Sequence, residues 1–356
     1  MKNICFLIGS ISHTGGTERV TSLIANELSK HSYNVSILSL IDGGTSFFTL
    51  QDRIKTYYLY PYKVSFKSKF FGTIWKIRNF VRQHEIDTFI VVDSISCIFS
   101  VPALYGSKAN HICWEHFNFN VNLGVRSRDI GRNLAARYCD YVVTLTTRDK
   151  EIWEQGLKNI KANIIPIANP TPYEDINHTP SLEYKTVLAI GRLTYQKGFD
   201  LLIDAWALVC ETNFDWILRI VGSGEDEQDL KRQTKNLGIE DRVDFVSATK
   251  NIEKYFKTSS YYCLSSRFEG LPMVMLEAQA FGLPIIAFDC DTGPSELVDS
   301  NNGILVEKDN IYQLSAALIE SMTDSQSKYL IKINNAVSTN RRFTVTNQIN
   351  LWLDIV

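Results

Sequence analysis

The chain has 356 residues, 45% of them hydrophobic and 21% charged, with a formal net charge of −2. That length exceeds the common size of a single core, so two domains are expected. No apolar run reaches the ~18–20 residues that span a bilayer, and seven cysteines without CxxC or Cys/His spacing point to reduced thiols in a cytoplasmic protein with no zinc site.

Short runs rich in β-branched and aromatic residues alternate with longer 3.6-period segments, the pattern of βα units around parallel sheets. NICFLI reads as a first buried strand rather than a leader. In the turn that follows, GSISHTGGTERV, Gly15 and Gly16 let backbone approach a ligand closely, and Thr17 is placed to cap a helix over residues 17–31. The spacing is not GxGxxG, which argues against a nicotinamide site. NVSILSL, DTFIVV, HICWEH and YVVTLT supply four more strands, with a helix over residues 70–84. From Lys63 to Arg82, KVSFKSKFFGTIWKIRNFVR holds six cations and no acid. Phe70, Ile74, Ile77 and Val81 recur there at helical spacing, opposite Lys69 and Lys76. The basic and aromatic remainder suits either solvent or an anionic lipid surface.

HICWEH closes on Glu115 and His116, two polar groups at a strand end. NIIPIANPTPYEDINHT then breaks the rhythm with three prolines, and the linker is placed at residues 169–180, between domains at 1–168 and 181–340. A second series follows: TVLAIG, DWILRIV, RVDFVS, YYCLSS, PIIAFD and GILVE. Two Rossmann-like halves would leave a cleft at the carboxyl ends of their strands. The tail, residues 341–356, looks helical and is expected to pack back on the first domain. The first half is net basic and the second net acidic, so an anionic partner is expected on the first; nucleic acid is not.

The informative motifs lie in the second half. Gly191-Arg192 directly follows a strand and Lys197-Gly198 stands at the mouth of a helix. An arginine fork, a compact lysine charge and free helix amides together suit a diphosphate. In RFEGLPMVMLEAQAFGL, Arg267 to Leu271 form a loop, Pro272 suits the first helical position, and the amides of Met273 and Val274 are left free. Glu269 precedes that helix and Glu277 lies in its second turn. A carboxylate accepts two hydroxyls at once, as the vicinal diol of a ribose or hexose presents them. The bland alternative is a first-turn glutamate complementing the helix dipole plus an exposed helical one. Asp289-Cys290-Asp291 spells DxD, but it follows this helix, where a loop bordering the pocket is expected; no metal site is assigned.

Gly-Arg-x4-Lys-Gly at 191–198 followed by Glu-x7-Glu at 269–277 resembles the retaining GT-B glycosyltransferases of family 4, over essentially the whole chain. The resemblance implies an α/β fold of two Rossmann-like domains with a returning C-terminal helix. It implies Arg192 and Lys197 on the donor diphosphate, Glu269 on hydroxyls of the transferred sugar and Glu277 on the ribose diol. The Gly270-Leu271 loop and the amides of Met273 and Val274 would complete that pocket. Backbone at Ser247-Ala248 would meet the base, although serine stands where glycine is usual. Gly15 and Gly16 would face the donor phosphates, and His116 would stand over the anomeric centre.

The implied reaction is retaining transfer of a hexose or hexosamine, without cofactor or metal, from a UDP-linked donor to a saccharide acceptor. A polyprenyl-diphosphate-linked acceptor is expected, with the enzyme peripheral on the inner membrane through the segment from Lys63 to Arg82. A nucleotide-sugar epimerase or hydrolase on the same scaffold, and a non-catalytic sugar-nucleotide sensor, remain as rival readings.

Overall fold

The structure, a computed structural model, describes residues 1–42, 45–212 and 215–356. The chain divides into two units, Met1–Pro170 with Val345–Val356, and Thr171–Thr344.

The first unit holds seven parallel strands: β1 (Asn3–Ile8), β2 (Asn34–Ile41), β3 (Lys55–Tyr60), β4 (Thr88–Val92), β5 (Asn110–Trp114), β6 (Tyr141–Thr144) and β7 (Asn163–Pro166). Their order is β3-β2-β1-β4-β5-β6-β7, the doubly wound arrangement. Helices α1 (Gly16–Lys30), α2 (Phe70–Gln83), α3 (Cys97–Leu104), α4 (Arg126–Tyr138) and α5 (Thr147–Gly156) connect them. β4, TFIVV, is buried throughout, as a strand covered on both faces must be. Val20, Ile24 and Leu28 recur one helical turn apart on α1 and are fully buried, which seats that helix.

Two strands fall outside the sequence expectation. β3 was unassigned: its run KTYYLY lies at the sheet edge with a mixed burial pattern and shows no clean alternation. β7 falls in the proline-rich stretch and is also an edge strand, where Pro166 costs the sheet no central hydrogen bond. Thr17 is not the cap of α1; Gly15 holds that position, and no side chain caps the helix.

The second unit repeats the plan with β8 (Thr186–Ile190), β9 (Ile217–Val221), β10 (Val243–Val246), β11 (Tyr261–Leu264), β12 (Ile285–Asp289) and β13 (Gly303–Glu307), ordered β10-β9-β8-β11-β12-β13. Its helices are α6 (Phe199–Cys210), α7 (Glu227–Asn236), α8 (Glu253–Lys257), α9 (Met273–Ala280), α10 (Pro294–Leu297), α11 (Ile311–Met322) and α12 (Gln326–Asn340). The strand order reverses between β8 and β11, and the loops that follow these two strands carry residues 191–198 and 267–271. Residues 171–180, expected as linker, count with this unit, as do residues 341–344; Thr171 N donates to Phe343 O at 2.6 Å.

A last helix, α13 (Val345–Leu353), belongs to the first unit and packs on α1. Asn110 Nδ2 donates to Ile355 O at 2.6 Å and Lys2 Nζ to Val356 O at 3.0 Å, which ties the tail to the starts of β5 and β1. Trp352 is fully buried, 4.8 Å from Trp114 between ring centroids, in an edge-to-face contact. Removing so large a buried ring should cost about 3–5 kcal/mol.

All seven cysteines are free thiols. Sequence spacing does not reveal that the fold gathers three of them: Cys97, Cys113 and Cys139 interact inside the first unit beside His111.

Candidate active site

The candidate donor residues of the second unit gather at the reversal point of its sheet. Gly191 follows β8, and the stem of Lys197 crosses it closely enough that a Cβ there would lie 3.3 Å from three of its carbons. Residues 195–197 form a single 3-10 turn, and Gly198, at φ +62, converts it into α6. Only glycine suits Gly198, because a Cβ would sit 2.1 Å from Ser265 O.

That turn is sewn to the loop after β11. Arg267 N donates to Gln196 O at 2.8 Å, Gln196 Nε2 to Phe268 O at 3.1 Å, and Ser265 Oγ to Lys197 O at 3.0 Å. Arg267 also grips Asp200 with both terminal nitrogens, at 2.8 and 2.5 Å, and lies 4.1 Å over the Tyr195 ring. Burial pushes the Asp200 carboxyl up, but the Arg267 hydrogen bonds and charge outweigh it and hold the group below its ordinary value.

With the loops joined, Lys197 Nζ reaches Glu269 Oε1 at 2.6 Å. Glu269 is nearly buried and Glu277 more so, so Glu277 is not the exposed helical residue of the bland alternative. Both carboxylates act on one further group, Tyr262, whose hydroxyl donates to Ile190 O at 3.3 Å; burial first, and then these charges, raise its phenol far above normal. Pro272 caps α9 with an extended ψ of 114°, so the helix begins at Met273, one residue later than the sequence suggests. Met275 N donates back to Pro272 O at 3.0 Å, leaving the amides of Met273 and Val274 without a backbone partner among the described residues.

The two residues after the DxD segment form a buttress. Thr292 Oγ1 donates to Glu269 O at 2.6 Å. Gly293, at φ +100, lies under the Gly270–Pro272 backbone, and a Cβ there would stand 2.7 Å from Gly270 O. Leu271 is buried beside it. No group of three His, Cys, Asp or Glu side chains among the described residues is arranged to hold a metal ion.

Arg192 is exposed, and its side chain has no partner among the described residues. Ser247 and Ala248 are exposed beyond β10. Ala248 N donates to Ser223 Oγ at 3.1 Å, and Ser223 O accepts from Leu193 N at 3.1 Å, so this loop is linked to the Gly191 turn. Sequence reasoning placed Arg267 and Gly293 in loops bordering the pocket but gave neither a role, and it passed over Asp200 and Thr292; these residues hold the loops in place, and no local pattern marks that task.

The other candidates, Gly15, Gly16 and His116, belong to the first unit. Gly15 is extended, at φ −77, just ahead of α1. His116 leans on Trp114, with ring centroids 4.5 Å apart, and burial alone lowers its pKa to about 3, so the ring is neutral at physiological pH. Glu115, the rival polar group, is fully buried and committed. It accepts from Ser94 Oγ at 2.5 Å, Arg132 Nε at 3.3 Å, and the amides of His116 and Phe117 at 3.0 and 3.1 Å. Arg132 also donates to the carbonyls of Asn118, Phe119 and Val121, and Asp149 accepts from Phe119 N at 2.9 Å. These groups fold the loop that carries His116.

In the basic segment, Lys76 is not simply solvated: its Nζ donates to Leu59 O at 2.6 Å and lies 4.2 Å over the Tyr60 ring. The exposed side of α2 carries Phe71, at 81% exposure, and Trp75, at 63%. No helix among the described residues is long and apolar enough to cross a membrane.

The chain resembles known proteins over both units. Residues 174–338 match the model of the group 1 glycosyl transferases, and residues 14–169 that of glycosyltransferase family 4. The chain is 40% identical over 357 residues, the whole of both chains, to an uncharacterized glycosyltransferase of Haemophilus influenzae. It is 28% identical, over 100% of its length and 98% of the relative's, to a Campylobacter jejuni α-1,4-N-acetyl-D-galactosaminyltransferase named for an acceptor on undecaprenyl diphosphate. The apo structure of the lipopolysaccharide outer core galactosyltransferase WaaB superposes with a TM-score of 0.79 at 23% identity, covering 99% of this chain and 98% of that one, a likeness of fold. With both units accounted for in this way, the chain belongs to the family 4 glycosyltransferases of GT-B fold.

Proposed function

We propose that the chain moves a hexose or hexosamine from a UDP-linked donor to a saccharide acceptor carried on a polyprenyl diphosphate, with retention at the anomeric carbon and no metal. The observation that carries this reading is the 2.6 Å contact of Lys197 with Glu269 across two interlocked loops. In the structure the two charges satisfy each other. A donor diphosphate offers Lys197 a stronger anionic partner, and Glu269 is released to accept hydroxyls of the sugar. Arg192 and the amides of Met273 and Val274 add donors where the leaving diphosphate gains charge, so no metal is needed to neutralise it. Glu277 holds the ribose diol, and the Ser247–Ala248 backbone meets the base.

In the step itself the bond from the anomeric carbon to the leaving phosphate oxygen breaks. The acceptor oxygen bonds to the same face, and its proton passes to that phosphate oxygen. His116, whose ring is neutral, is assigned the part of steadying the developing positive charge. The Campylobacter relative's printed acceptor supports a lipid-linked saccharide here.

Melting temperatures should be measured with UDP-, GDP- and ADP-sugars, since a bound donor stabilises by mass action. A rise with UDP-sugars alone supports the donor assignment; no rise with any of them removes it. Turnover with a polyprenyl-diphosphate-linked saccharide, and the anomeric configuration of the product by NMR, test the remainder. Free sugar or epimer formed at the same rate without acceptor would instead favour the hydrolase or epimerase reading.

Membrane docking is part of the same proposal. Phe71, Trp75 and Arg82 lie at i, i+4 and i+11 on one stripe of α2, exposed to solvent, with Lys67 and Lys69 just ahead. Exposed rings beside cations fit the interface of an anionic leaflet. Flotation with phosphatidylglycerol vesicles but not phosphatidylcholine vesicles, lost in a Phe71→Ser/Trp75→Ser variant, is the expected result; equal recovery with both lipids contradicts it.

A further inference from the structure

We infer that Trp352 is a positioning residue for the reaction: acting through Trp114, it sets where the His116 imidazole stands. The inference rests on the reading of His116 given above.

The backbone of His116 is well held, its amide donating to Glu115 Oε1 at 3.0 Å. The ring is held differently. Nε2 of His116 is buried and has no hydrogen-bond partner among the described residues. The same holds for the indole nitrogens of Trp114 and Trp352. Hydrogen bonds therefore do not orient this column, and ring packing must. Trp114 meets His116 at 4.5 Å and 48°, and Trp352 meets Trp114 at 4.8 Å and 70°. Phe6 is the more distant neighbour of Trp114, at 6.4 Å. Trp352 is supplied by α13, more than two hundred residues along the chain, while Trp114 and His116 share the end of β5. Without Trp352 the Trp114 ring loses its closest aromatic support, and the imidazole loses the surface it rests on. The charged group nearest to His116 in the chain, Glu115, is already committed to Ser94 and Arg132 and is not placed to take over.

The test compares Trp352→Leu, Trp352→Phe and His116→Ala in the full chain, with UDP-sugar and acceptor. Trp352→Leu should lower kcat about tenfold to a hundredfold, as a small misplacement of a reacting group does, with the donor KM within about twofold. By NMR the His116 pKa should rise from about 3 toward the ordinary 6.5. Trp352→Phe, which keeps a ring, should restore most of the rate. In a His116→Ala background Trp352→Leu should cost little more. Should Trp352→Leu fail to fold, Trp352→Met, an unbranched side chain that adapts to irregular gaps without a ring, takes its place. An unchanged kcat and an unchanged imidazole titration in the folded variant, with His116→Ala inactive, overturn the inference alone. Full activity of His116→Ala overturns the reading on which it rests.

Discussion

The two units use charge in opposite ways at the carboxyl ends of their sheets. In the first, Glu115 and Arg132 are buried and every partner they have belongs to the protein, most of it backbone of the following loop. In the second, Lys197 keeps a fifth of its side chain exposed, Glu269 pairs with it through one oxygen, and Arg192 is open to solvent. The first arrangement uses charge to shape backbone, whereas the second leaves charge exposed at the loop surface. A buried ion pair adds little net stability but is costly to break, while a lightly committed surface cation costs almost nothing to remove until a ligand needs it.

Breaking the first arrangement should give the largest effect. Arg132→Ala leaves Glu115 charged and buried, and should lower stability by about 3–5 kcal/mol in urea unfolding. Breaking the second should show up in rate instead. Arg192→Ala should lower kcat/KM by about 2–4 kcal/mol of transition-state stabilisation, roughly thirtyfold to a thousandfold, with the urea midpoint nearly unmoved. If the two variants exchanged phenotypes, the distinction between the units would be wrong. Gly293→Ala sharpens the comparison from within the second unit. It forces a Cβ against Gly270 O in a backbone at φ +100 and should cost about 1–3 kcal/mol, together with weaker donor binding in calorimetry.

The smallest effects concern pH, and they have opposite signs within the first unit. The native His116 ring stays neutral down to about pH 3, while the unfolded chain takes up that proton below about 6.5. Its contribution is therefore intact above pH 6.5 and declines as pH falls toward 3. Burial raises Asp149 to about 7, so its contribution is present below the unfolded value of about 3.8 and is lost as pH rises through 7. Urea midpoints between pH 4 and 8 should show a flatter acid limb for His116→Leu and a flatter neutral limb for Asp149→Asn. Parallel curves for wild type and both variants would contradict these assignments.

The donor motifs were legible because each sits at a strand-to-helix junction, where a few local residues decide the chemistry. Gly191, Arg192 and Lys197 share one βα turn, and Glu269 and Glu277 flank another. The supports were not legible. Arg267 reaches Asp200 across 67 residues, and Thr292 reaches Glu269 O across 23, and neither pairing leaves a mark in local spacing. Edge strands were missed for a related reason: β3 and β7 each pair on one side only and need not alternate strongly. Glu115 and His116, adjacent and both polar, were separated in the sequence only by the resemblance, which favoured His116; the structure shows Arg132 and Ser94 claiming the glutamate.

By itself, the sequence determined the class of fold, the division into two α/β units and the residue types that stand at the strand-to-helix junctions of the second, because periodicity and turn chemistry are local. Tertiary structure alone decided which charges meet, which are silenced by burial and which stay open. Those outcomes depend on distances between segments remote in the chain, and on a desolvation cost that exists only once the chain has folded around them.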